Sequence, residues 1–192
     1  MGAWEASGQS DEWFTPKFVF DALGCEFDLD VAAPNGGGDC VPAHLRYSRF
    51  GLQEPWFGFV WMNPPFGGRN ALVPWLDKFF EHGCGIALTP DRTSAPWFWD
   101  AWARADLVMF TRKIRFIRPD GNEGKSPSCG TALWAVGDKA VSALHRAQAA
   151  GLGIVGSPTT AHPSAVAMRA GEAPASPASA SVDLLSHEAT NV

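Results

Sequence analysis

Asn63-Pro64-Pro65-Phe66 follows directly on the apolar run Val60-Trp61-Met62. Two consecutive prolines supply no backbone donors and restrict the residue before each, so strand pairing ends there and leaves a stiff loop. Asn63 offers a side-chain carbonyl and Pro64 a main-chain carbonyl, two acceptors suited to gripping both hydrogens of one exocyclic amino group. Phe66 adds a flat face on which a base can stack. The chemistry these residue types suit is reaction at the amino nitrogen of a planar heterocycle. The plainer reading of the same four residues is a turn that terminates a strand.

The loop resembles the Asn-Pro-Pro-(Tyr/Phe) motif of amino methyltransferases that use S-adenosylmethionine. Trp13-Phe14-Thr15-Pro16 stands before it, Phe27-Asp28-Leu29-Asp30-Val31-Ala32-Ala33 between, and Arg112-Lys113-Ile114-Arg115-Phe116 after it. With these flanks in order, the stretch from about Asp11 to Gly137 is similar to the small phage-type DNA N6-adenine methyltransferases. The resemblance implies an α/β, Rossmann-like S-adenosylmethionine-dependent methyltransferase fold in abbreviated form, its sheet mostly parallel with an antiparallel edge. It implies S-adenosylmethionine as cofactor and double-stranded DNA with a flipped adenine as substrate. Asn63, Pro64, Pro65 and Phe66 become the catalytic set. Thr15, Pro16, Asp30, Ala32, Ala33 and Asn63 become the cofactor-binding set, with Thr15-Pro16 beside the methionine end of the cofactor. Arg92, Thr93, Trp97 and Phe98 match a family segment whose role is packing or substrate contact. One departure stands out: the family carries an acid just before Gly-Leu, whereas this chain reads Arg49-Phe50-Gly51-Leu52, with Glu54 as a possible substitute.

The elements that must position these residues are legible as patterns. Thr15 can cap a helix whose first turn contains Pro16 and whose buried side is Phe18, Val19, Ala22 and Leu23, ending near Gly24. From Glu26 to Val31, apolar and acidic residues alternate with the period of a strand that has one wet face. That strand runs out into Ala32-Ala33-Pro34-Asn35 and Gly36-Gly37-Gly38. An acid at a strand's carboxyl end, then small residues and a glycine loop, is how doubly wound sheets make room for a nucleotide-like ligand. Asp30 is the candidate for holding the ammonium group of such a ligand, with Ala32 and Ala33 allowing close approach. The glycine run does not match GxGxxG and reads equally as a flexible loop. Between Asn35 and Gly58 there is little room for a full helix and strand. Phe57 to Met62 then forms the central strand, placing both proposed sites on one rim of the sheet.

Leu72, Val73, Leu76, Phe79 and Phe80 recur at helical spacing up to Gly83, and Cys84 to Leu88 reads as a buried strand. Ser94 can cap the next helix, opened around Pro96, in which Trp97, Phe98, Trp99 and Trp102 are read as core. Asp106 to Phe110 and Lys113 to Arg118 read as strands joined by a basic turn. A polar loop from Pro119 to Pro127, a strand from Thr131 to Val136 and a helix from Asp138 to Ala150 complete the pattern. Arg92, Arg112, Lys113, Arg115, Arg118 and Lys125 are the candidate DNA contacts, and the Asp120 to Ser126 loop is expected beside them. The same cluster reads equally as a solvated strand face.

At 192 residues the chain supports one core. The expectation is a methyltransferase domain over 12–155, a loose segment over 1–11 and a disordered Ala/Ser/Pro-rich tail over 156–192. Hydrophobic content of 46% and nine Trp exclude a wholly disordered protein. A net charge of −5 argues against nonspecific nucleic-acid affinity over the whole surface, so DNA contact must be local. No basic leader with an apolar core and no long apolar run appear, which points to the cytoplasm, that of a host cell if the chain is phage-encoded. Cys25, Cys40, Cys84 and Cys129 contain no CxxC pair and are expected as free thiols. Cys40 and His44 lack an obvious second pair for a metal, and methyl transfer needs none. A monomer or weak dimer is expected, with a short recognition sequence because no separate target-recognition domain fits. Cytosine N4 or a protein glutamine amide could occupy the same grip, and a noncatalytic DNA-binding or partner-binding relic is the reading from another class.

Overall fold

Alternation along the inner strands sets the architecture. Trp61, Ile86, Leu88, Met109, Leu133 and Ala135 face one side, while Val60, Met62, Ala87, Val108, Ala132 and Trp134 face the other. A sheet apolar on both faces must be covered on both. The computed structural model describes residues 13–35, 37, 39–66, 70–124, 127 and 129–158. Its elements are α1 (Lys17–Leu23), β1 (Phe27–Asp30), β2 (Ala43–Arg46), β3 (Val60–Met62), α2 (Val73–His82), β4 (Gly85–Pro90), α3 (Pro96–Arg104), β5 (Leu107–Thr111), β6 (Thr131–Val136), α4 (Asp138–Ala149) and β7 (Gly153–Gly156). Helices α1 and α4 pack on the first face through Val19, Phe20, Leu23, Ala140, Ala143, Leu144 and Ala147. Helices α2 and α3 pack on the second through Leu72, Leu76, Phe79, Phe98 and Ala101.

The seven strands lie in the order β2-β1-β3-β4-β6-β5-β7. β2, β1, β3 and β4 are mutually parallel, whereas the β4–β6, β6–β5 and β5–β7 pairs are antiparallel. The expected mostly parallel sheet with an antiparallel edge is therefore corrected: antiparallel pairing fills half of it. The reason is topological. β6 returns from the polar loop after β5 and inserts between β4 and β5, so an antiparallel strand sits inside the sheet rather than beside it. Because β5 is antiparallel to β6, it points the same way as β4, and its carboxyl end shares a rim with those of β1, β3 and β4.

Several local expectations are also corrected. Thr15 does not cap α1: Pro16 is the N-cap residue, and no side chain closes the helix start. Ser94 does not cap α3 either, where Ala95 occupies that position. Lys113 to Arg118 is not a strand; only Ile117 pairs, in single bridges to Phe14 and Glu123. Arg112, Lys113 and Arg115 are exposed while Ile114 alone is fully buried, too little apolar surface to hold a strand on the sheet. Trp99 is exposed rather than core. The expected wet face of β1 does not reach Asp30, which is buried, and the half-buried Asp28 carboxylate accepts the Phe59 N–H at 2.7 Å. β2 and β7, two short edge strands, were not expected. The expected 1–11 segment and nearly all of the expected 156–192 tail lie outside the described residues. No described helix is long and apolar enough to cross a membrane.

Candidate active site

β3 ends at Met62, and the diproline loop follows at the carboxyl rim of the sheet. Pro64 is buried, whereas Pro65 and Phe66 are exposed, so the loop is anchored at its root and open at its tip. The Asn63 amide is held from the side opposite the loop. Its Nδ2 donates to Thr15 Oγ1 at 3.2 Å and to the Trp13 carbonyl at 3.4 Å. Both hydrogens of the amide are thus turned toward the Trp13–Thr15 segment. Among the described residues nothing donates to Asn63 Oδ1 or to the Pro64 carbonyl, which leaves two acceptors beside an exposed aromatic ring.

The segment that holds Asn63 is itself held. Phe14 exchanges both backbone hydrogen bonds with Ile117, at 2.8 and 2.9 Å. The Trp13 ring lies against Gly124, where a Cβ would stand 2.5 Å from the indole, and the Arg118 guanidinium sits 6.0 Å from its centroid. Thr15 and Pro16 are buried beneath it. Thr15, expected at the cofactor, presents its hydroxyl to Asn63.

On the same rim, β1 and β3 are parallel with Asp30 opposite Trp61, so Asp30 ends its strand next to the root of the diproline loop. The Asp30 residue is 2% exposed, and its Oδ1 accepts the Ala32 N–H at 3.1 Å. Burial pushes its carboxyl up to about 7; the Ala32 N–H opposes this, the neighbouring Asp39 charge adds to it and Arg46 counters it. Ala33 is held by its own N–H to the Tyr47 carbonyl at 3.0 Å, which shapes the turn after the strand.

Asp39, which the sequence reading did not single out, completes this corner. Its side chain is 4% exposed; Oδ1 lies 3.4 Å from Arg46 Nε, and Oδ2 is buried with no partner among the described residues. A buried acceptor without a donor is costly, and Arg46 pairs with Asp39 rather than with Asp30. The corner therefore fits a ligand that brings a cation or hydroxyl donors. The available signal was an acid directly after the glycine run, obscured when that run is read as a plain linker.

The basic residues divide. Arg112 and Lys113 leave the carboxyl end of β5 exposed, on the rim that carries Asn63. Arg115 is 3.6 Å from Glu123, and Arg118 is half-buried over Trp13. Arg92 follows the carboxyl end of β4 on the same rim, where it lines a cleft of about 470 Å³ with residues of α2 and α3. Lys125 lies outside the described residues. Another cleft, of about 940 Å³, opens by Glu26, Asp28, His44 and Lys139, at the amino ends of β1 and β2. It is remote from the diproline loop, and its Lys139 and Arg146 are already bonded to the Glu26 and Leu23 carbonyls. Among the described residues no three His, Cys, Asp or Glu side chains cluster as a metal site would require.

A family model described as DNA N-6-adenine-methyltransferase (Dam) matches residues 5–137, a span that runs from before the Trp13 segment to the end of β6. No curated protein and no solved structure matches the chain.

Proposed function

The chain belongs to the DNA N-6-adenine-methyltransferase family, and from that premise we propose that it transfers a methyl group from S-adenosylmethionine to the N6 amino group of adenine in DNA. The observation that carries this reading is the direction of the Asn63 amide. With Nδ2 committed to Thr15 and Trp13, Oδ1 and the Pro64 carbonyl are acceptors to which nothing donates among the described residues.

Adenine's amino nitrogen is a poor nucleophile because its lone pair is delocalised into the ring. Two acceptors on its hydrogens favour the pyramidal nitrogen that forms in the transition state, where the lone pair is localised and free to attack. Phe66 stacks on the base once it leaves the helix and keeps the nitrogen in line. S-adenosylmethionine, when bound, supplies an electrophilic methyl group. Asp30 and Asp39 would hold its ammonium and hydroxyl donors, with Ala32 and Ala33 admitting it closely. The methylated nitrogen is positively charged and releases its proton to water, so no side chain serves as a base. Arg112 and Lys113 meet the phosphate backbone from the neighbouring edge of the rim.

The test is transfer of tritiated methyl from labelled S-adenosylmethionine to DNA by wild type and Asn63→Ala, followed by digestion to nucleosides. Wild type yields N6-methyladenine, and the variant loses at least about a hundredfold in rate, as loss of a preorganised transition-state partner does. Equal rates would overturn the site, and N4-methylcytosine as product would move the substrate to the other exocyclic amine.

A further inference from the structure

A primary amide has nearly the same shape after a half-turn about its last bond, but the half-turn exchanges its acceptor for two donors. At position 63 this decides what the site can grip. With Oδ1 outward it accepts from an amino group; with Nδ2 outward it donates to a carbonyl. Something in the fold must therefore fix the amide's direction.

Two contacts do so, and neither comes from the diproline loop. The Trp13 carbonyl, 3.4 Å from Nδ2, can only accept, so a reversed amide would set oxygen against oxygen there. Thr15 Oγ1, 3.2 Å from the same nitrogen and buried, holds the plane of the amide. The Trp13 carbonyl is placed in turn by the paired Phe14–Ile117 backbone bonds. The polarity of the site is thus written in a segment about fifty positions away in sequence.

We propose that the Trp13 carbonyl fixes the direction of the Asn63 amide while Thr15 holds its plane, and that the two together aim Oδ1 outward, so that the site selects an amino group over a carbonyl on the extruded base. The inference rests on the proposed function and deepens it. It also departs from the cofactor contact implied for Thr15, because it assigns the hydroxyl to Asn63.

The discriminating probe is hypoxanthine, which carries a carbonyl oxygen where adenine carries its amino group. Wild type, Thr15→Val and Thr15→Ser are compared for equilibrium binding to duplexes with adenine or hypoxanthine at the position that methylation mapping identifies, and for kcat and KM on the adenine duplex. Thr15→Val removes the hold on the amide plane, so Oδ1 is less well aimed at adenine's amino group, a contact that hypoxanthine does not make, and the adenine-over-hypoxanthine binding ratio narrows by about three- to tenfold, the worth of one hydrogen bond. Its kcat falls by a similar factor with KM for S-adenosylmethionine unchanged, and Thr15→Ser recovers most of both losses. The ratio is taken within one protein preparation, so a reduced folded fraction does not move it. A Thr15→Val protein that keeps the wild-type ratio overturns the proposal, as does one whose defect is confined to KM for S-adenosylmethionine. A wild type that methylates no DNA overturns the proposed function, and this inference with it.

Discussion

Asp30 stands opposite Arg46 in the parallel β1–β2 register, yet Arg46 directs its guanidinium to Asp39 and to the Val41 carbonyl, leaving Asp30 buried without an ion pair among the described residues. Burial raises the Asp30 carboxyl from 3.8 to about 7. A carboxyl raised in the folded state binds a proton there that the unfolded chain has already released. Stability of the ligand-free protein therefore falls as pH rises from about 4 to about 7, then levels off. A ligand ammonium needs the ionised form, so affinity for S-adenosylmethionine rises with pH toward 7 and is flat above it. Thermal melts and calorimetric titrations at pH 6, 7 and 8, on wild type and Asp30→Asn, check both signs. The variant gains melting temperature at pH 8, loses this component of the pH slope and binds S-adenosylmethionine weakly throughout. A wild-type affinity that declines between pH 6 and 7 would remove Asp30 from the site.

Phe66 is 36% exposed at the tip of a loop whose root is buried, an arrangement that presents a ring to solvent without letting the loop wander. Stacking of one base on one aromatic ring is worth about 1–3 kcal/mol. Phe66→Ala is expected to weaken binding to duplex DNA carrying the target adenine by about ten- to a hundredfold while Phe66→Tyr stays near wild type. The fluorescence of 2-aminopurine at the target position reports whether extrusion itself is lost. An unchanged signal in Phe66→Ala would assign the ring to packing.

The diproline loop was legible because its signal is local: Asn63, Pro64, Pro65 and Phe66 are consecutive, and the prolines announce the end of β3. Asp30 was legible for a similar reason, as an acid at the end of an alternating strand. What sequence could not carry was competition between partners. The Thr15 hydroxyl had the position of a helix cap, but Asn63, 48 residues away, takes it. β6 gave a clear strand pattern and no indication that it would insert between β4 and β5. The basic residues Lys113, Arg115 and Arg118 looked like a solvated strand face, yet apolar surface was missing on the other side. Asp39 lay beyond the glycine run, where no periodicity could point to it.

Arg112 and Lys113 follow β5 onto the rim that carries Asn63 and are exposed, whereas Arg115 faces Glu123 and Arg118 lies over Trp13. Phosphate contact is expected chiefly from the first two. Each phosphate contact removed lowers the slope of log affinity against log salt by about 0.9. Arg112→Ala with Lys113→Ala should flatten that slope by about two, across all DNA sequences alike, and leave S-adenosylmethionine binding intact. Fluorescence anisotropy from low to moderate salt measures it. Retention of the full wild-type slope would place the phosphate contacts elsewhere on the chain.

Phe50 has φ +59°, and it is the one non-glycine among the described residues with a positive φ. Its carbonyl accepts the Gln53 and Glu54 N–H groups at 2.8 and 2.9 Å, so the strained residue opens a helical turn, and its ring is 68% exposed. The next residue cannot move to relieve it: a Cβ on Gly51 would stand 2.0 Å from the Val31 carbonyl, which locks this turn against the end of β1. Left-handed backbone costs an ordinary side chain about 1–2 kcal/mol, and Asn or Asp less, because a short polar side chain can bond locally. Phe50→Asn is therefore expected to stabilise the protein by about 1 kcal/mol, a rise of about 2–4 °C in Tm. Gly51→Ala, forced against a backbone carbonyl, should destabilise by more than Phe50→Asn gains. Differential scanning calorimetry of the two variants decides the matter, for a lower Tm in Phe50→Asn would mean that the ring contributes packing that outweighs the backbone strain.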